Sequence, residues 1–385
     1  SGGNFNVVIG DEAGTALTTG DDNVAVGYNA LITEDAHGNN VAIGSGSLKT
    51  LNAGAQGYNV GVGVDSGKLM TTGIKNTLVG ALAGDALTDA DFNVAVGMMA
   101  LGADTLGSGA TALGLQALAN QNFTTATTNY NTAVGFQAGL SVSTGVENTL
   151  IGGLAGDVIT SGNNNTAVGH NSLGTNIISD HNVAIGNDAL ATHNTATSID
   201  AYNVAVGSGA GASVTTGTLN TLIGGNVGDA LTIGNSNTAV GYNSLTTEVA
   251  GDRNVALGYN ALALQTNATT VDVYNTAVGY AAGAAVTTAI NNTLIGGLAG
   301  DAITTGTNNT ALGYAALGAN TAAVSNIAIG VRALDAFNVT TATSTYNVAI
   351  GEDAGGAVTT GINNTLIGAL AGDALTDADY TQGLQ

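Results

Sequence analysis

Along this chain polar and apolar residues follow one five-residue phrase, Asn-(Thr/Val)-Ala-Val-Gly, which first starts at residue 6 and last at residue 364. It occurs 21 times. Successive starts are 17, 17 and 19 residues apart, then 17, 17, 17 and 21 in recurring order, so four units make a super-repeat of 72 residues. The stretch NTLVGALAGDALTDAD at 76–91 accordingly returns at 364–379 with one change, Val79 to Ile367. Numbered from its asparagine, each unit has Val, Ile or Leu at position 4 and Gly at position 5, and only Ala110 replaces the Asn at position 1. Position 9 alternates in pairs, as Gly139, Gly156, Leu173 and Leu190 show.

Glycine in every unit and asparagine at nearly every start are incompatible with a helical repeat, and no apolar spacing of 3.6 residues survives. Short strands remain. Positions 1–5 form one, with positions 2 and 4 on one face and position 3 on the other. We assign position 4 to the core, so that Val168→Asp or Ile223→Asp would break the fold locally. A second short strand is expected near positions 12–14, as in Val214-Thr215-Thr216-Gly217, with glycines at positions 5 and 15 as corners. Asparagines at position 1 are placed to hydrogen-bond from one coil to the next. The fold class is therefore all-β, a parallel β-solenoid of about 21 coils and 17 residues per coil. At about 4.8 Å per coil it would make a rod of roughly 100 Å. Residues 1–380 are one continuous repeat array and 381–385 the decay of the repeat.

On this assignment position 3, Ala in most coils and Leu at Leu78, Leu150, Leu222, Leu294 and Leu366, lies on the outer face. The strand is then apolar on both sides, which predicts self-association. The first coil opens almost at once, at Asn6, so we read the chain as a processed product or a piece of a longer one, its open edge met by more chain or by another subunit in a head-to-tail filament.

Composition sharpens this picture. The chain of 385 residues has 59 Gly, no Pro, no Cys, 44% hydrophobic and only 8% charged residues. That apolar content argues against disorder. A net charge of −22 with five Lys and Arg argues against nucleic acid or an anionic membrane as partner. No apolar run reaches the 18 residues that would suggest a membrane-spanning helix.

Phrases such as NVAVGYNAL, NTAVGYNSL and NVAIGNDAL resemble the head repeats of trimeric autotransporter adhesins, and the longer form with TTG is similar to repeat arrays of phage tail fibres and bacterial surface fibres. The resemblance covers residues 4–380 at motif level. It implies a left-handed parallel β-roll, a parallel homotrimer, and an extracellular, cell-surface or virion location. Neither a coiled-coil stalk nor a tail-fibre chaperone domain is visible, and the 17-residue coil is longer than the adhesin coil.

Candidate chemistry is sparse. No Ser-His-Asp arrangement stands apart from the periodicity, and Gly61-Val62-Gly63 belongs to a coil rather than to a phosphate loop, so we assign no catalytic residue, no cofactor and no metal. His170, His181 and His193 are the histidines near enough in sequence to meet, but His170 shares its slot with Tyr242 and Tyr314. Asp85, Asp157, Asp229, Asp301 and Asp373 recur at position 10 and read as corner residues accepting backbone N–H bonds. Every fourth coil carries about four extra polar residues, and a tyrosine closes each such loop. Tyr58, Tyr130, Tyr202, Tyr274 and Tyr346 form a series at intervals of 72 and are the candidate contact surface, for a surface glycan or protein of a host. The Asn-x-Thr sequons at Asn122 and Asn267 fall in these loops. The function expected is a structural or adhesive fibre shaft. The alternative is an ice-binding solenoid that uses its Thr-rich positions 13 and 14.

Overall fold

The computed structural model describes residues 3–384, all of it strand, turn and bend without a helix. It is a parallel β-solenoid of about 22 turns. The chain divides into two compact units, residues 1–188 with 194–200, and 189–193 with 201–385. Each unit holds eleven three-residue strands at positions 2–4. They run from Val7–Ile9 to Val183–Ile185 in the first unit and from Val204–Val206 to Gln382–Leu384 in the second. Neighbours pair in parallel with like on like, Ala133 beside Leu150 beside Ala167, for example. Gln382–Leu384 pairs with Thr365–Ile367, so the backbone adds a strand where the side-chain pattern has already decayed.

The faces are the reverse of those assigned from the sequence. Position 3 is buried, as at Ala133, Leu150 and Ala239, while positions 2 and 4 are partly exposed; Ile151 is 37% exposed and Ile223 38%. Alternation alone tells which residues share a face, not which face is inside. The decision falls to interior width. Small Ala at positions 3 and 8 lets the walls of the coil close on one row of larger side chains, which position 4 would overfill.

That row explains the four-coil super-repeat. Where position 9 is Leu, its side chain fills the interior, as Leu118, Leu173 and Leu245 do. In the paired Gly coils an aliphatic residue at position 12, such as Val142 or Ile159, enters instead, and the second coil adds Leu at position 3. A Cβ on Gly139 would stand 2.7 Å from Leu150 Cδ1 and 2.9 Å from Leu118 Cδ2, and one on Gly156 2.8 Å from Leu150 Cδ2. The glycine pair is thus the space into which the leucine fits. Leu78 between Gly67 and Gly84, and Leu294 between Gly283 and Gly300, repeat the arrangement.

Position 5 is a different glycine requirement. Gly135 has φ 138°, and a Cβ there would lie 2.5 Å from the carbonyl oxygen of Gly152 in the next coil. Both facts exclude any other residue. Positions 7, 9 and the last of each coil also turn left-handed, mostly without glycine: Gln137, Leu118 and Tyr130 have φ of 53°, 50° and 50°. Such residues cost about 1–2 kcal/mol each and persist because stacking holds them. The expected second strand at positions 12–14 is replaced by bends. Its place in the architecture is taken by single inter-coil bonds, such as Thr71 N to the Thr88 carbonyl at 2.9 Å.

Candidate functional site

Two surfaces and two interior polar sets carry the side chains with potential for recognition. The first surface is the outer face of the ladder sheet. Position 4 presents a column of Val, Ile and Leu in each unit, and position 2 a column of Thr and Val beside it. Position 6 adds exposed apolar residues, Met98, Leu115 and Phe136 in the first unit. In the second unit Tyr242, Tyr259 and Tyr280 stack, with ring centroids 5.9 and 5.5 Å apart and planes within 16° and 5°.

The second surface holds the tyrosine series. Tyr58, Tyr130, Tyr202, Tyr274 and Tyr346 are each about half exposed, and each takes the left-handed corner just before the asparagine of a strand. Spacing brings them to one slot of the coil but not to one another, since three coils separate successive members. In the same slot of the preceding coil the Arg253 guanidinium is 5.6 Å from the Tyr274 centroid and also pairs with Asp272. The loops that they close pair back on the preceding coil, Gly107–Ser108 with Thr127–Thr128 and Gly251–Asp252 with Val271–Asp272.

The expected asparagine ladder lies inside the coil. The Asn148 N–H donates to Asn131 Oδ1 at 2.9 Å, and Asn148 Nδ2 donates to the Gly162 carbonyl at 2.8 Å. Where Ala110 interrupts it, Asn129 from the loop accepts the Asn131 N–H.

Sequence reasoning missed a second buried polar set, at position 12 of the Leu-type coils. Glu34, Asp104, Asn176, Glu248 and Asn320 are fully buried, and each accepts the backbone N–H three residues on, from His37, Gly107, Ser179, Gly251 and Ala323. Gln121 Nε2 donates to Asp104 at 2.6 Å and Gln265 Nε2 to Glu248 at 2.7 Å from the following coil. Glu248 also accepts from the Asn267 N–H and Nδ2, so the Asn267 sequon amide is buried in the fold. A polar residue returning in the slot that is aliphatic in the Gly-type coils was the available signal.

The three histidines do not form a cluster. His170 is exposed on the outer face and His181 contacts Asp200 at 3.1 Å. His193 is fully buried, and burial lowers its pKa to about 4, opposed by the backbone of Thr215. Burial holds Asp85, Asp157 and Asp301 above the usual carboxylate range, opposed by their own backbone N–H groups. Asp85 borders a groove of about 430 Å³ with Gln116, Asn120 and Gln137. No protein-family model matches this chain, and no curated protein matches it at a significant level.

Proposed function

We propose that the chain is the repetitive shaft of an extracellular attachment fibre, of a bacterial surface or a phage, which provides length, rigidity and multivalent weak contact. The observation that carries this reading is the column of partly exposed Val, Ile and Leu on the outer face of the ladder-sheet strands from Val7–Ile9 to Thr365–Ile367. An apolar stripe of that continuity is a self-association surface, and copies of this chain, as a parallel trimer, are its partner. The loops and their tyrosines present half-exposed rings to a surface glycan or protein.

Sedimentation velocity tests the reading. Wild-type chain is expected to sediment as a homo-oligomer, and Ile223→Asp to shift it toward monomer while the circular dichroism of the coil stays unchanged. A stable wild-type monomer at tens of micromolar would overturn it.

The ice-binding alternative needs free hydroxyls at positions 13 and 14. At position 13 they are engaged within the fold: Thr215, Thr287 and Thr304 donate to carbonyls of the following coil at 3.0–3.1 Å. Thr72 at position 14 donates to Asp89. This use of the hydroxyls favours the fibre reading.

A further inference from the structure

We infer that Glu34, Asp35 and His37 form a binding site for one borderline divalent cation of the Zn²⁺ or Co²⁺ type. Each residue offers a ligand atom, and the three atoms lie within 4.8 Å of one another. One imidazole nitrogen and two carboxylate oxygens are a donor set suited to such ions.

The comparison among coils supplies the argument. Position 15 of the five equivalent coils is His37, Gly107, Ser179, Gly251 and Ala323. What the fold asks of that residue is done by its backbone: the His37 N–H donates to Glu34 Oε1 at 3.1 Å and its carbonyl accepts from Asn23 Nδ2 at 3.1 Å. Gly107 and Gly251 do the same with no side chain. The imidazole is therefore surplus to the coil. Its Nδ1 atom is closed to solvent and has no hydrogen-bond partner, yet faces Glu34 Oε1 at 3.4 Å.

Glu34 departs from its equivalents too. Asp104 and Glu248 each receive a glutamine amide from the following coil, whereas the residue facing Glu34 is Leu51, which has nothing to donate. Beyond the two backbone N–H groups of His37 and Ala53, this buried carboxylate has oxygen lone pairs to spare. A charge so placed is costly unless neutralised. Asp35 stands where Thr105, Ile177, Val249 and Thr321 stand elsewhere, and it brings a second carboxylate at a half-exposed edge through which an ion can enter.

The probe is Co²⁺, titrated into the full chain at neutral pH over excess Mg²⁺, which occupies nonspecific acidic sites. Visible d–d absorption saturating at one equivalent is expected, displaced by Zn²⁺. His37→Ala, carrying the residue of the equivalent Ala323, should keep the metal-free melting curve and lose affinity by more than the roughly tenfold to hundredfold cost of an outer-shell change. Asp35→Asn should weaken binding in the same sense. No saturable band in wild type, or equal affinity in wild type and His37→Ala, overturns the assignment.

Discussion

At the scale of residues, the interior is governed by which side chain occupies one row. Leu150 is fully enclosed and fills the room left by Gly139 and Gly156, so Leu150→Ala leaves a cavity between two glycines that cannot collapse into it. A loss of about 2–5 kcal/mol is expected, read as a lowered denaturant midpoint of the first unit. Ile151→Asp, one residue along but facing outward, should leave that midpoint nearly unchanged. His193 gives a pH-dependent counterpart. In the folded chain it stays neutral down to about pH 4, while in the unfolded chain it takes up a proton near 6.5. Between those values the unfolded state binds more protons, so stability falls as pH falls from 6.5 to 4, by about 3 kcal/mol in all, and is unaffected by His193 above 6.5. His193→Gln, which installs the residue that Gln121 and Gln265 supply in the equivalent slot, should remove that component; melts of both proteins at pH 7 and 4.5 provide the difference.

At the scale of the element, a coil is one short strand and a set of left-handed corners tied by polar side chains. Glu248 accepts four backbone N–H groups through one oxygen, including that of Asn267 at the start of the extra loop. Glu248→Ala leaves these donors buried and unpaired, at a cost of several times the 1–3 kcal/mol of a single orphaned group. Limited proteolysis should then cut first between residues 266 and 273. The asparagine ladder was legible because Asn returned at position 1, four residues before an invariant glycine. The position-12 clasps were missed although Glu34, Asp104, Asn176, Glu248 and Asn320 share one position of the repeat, because they differ in type and only the fold shows that the position points inward.

At the scale of the molecule, a charge of −22 meets an apolar sheet face. Copies associating through that face bring like charges together, so added salt should strengthen self-association by screening over about 10 Å at 0.1 M, against the weakening expected of a charge-driven contact. Sedimentation at low and moderate ionic strength reads the sign. Ile223→Asp places a carboxylate within the face and should abolish association at either ionic strength.

By itself the sequence determined the repeat, the parallel register of like on like, the corner glycines and the coil-to-coil asparagine ladder, because each of these is a demand that recurs at a fixed spacing and admits few residue types. It also marked Tyr58, Tyr130, Tyr202, Tyr274 and Tyr346 as one slot of the coil. Only the tertiary structure decided which side of the strand is the interior, since Ala-out with Val-in and Val-out with Ala-in have the same alternation. The choice rests on volume: paired glycines at position 9 open a gap that Leu at position 3 enters beside the aliphatic residue of position 12, and once that leucine is inside, period-two geometry turns the Val, Ile and Leu of position 4 toward solvent or a partner.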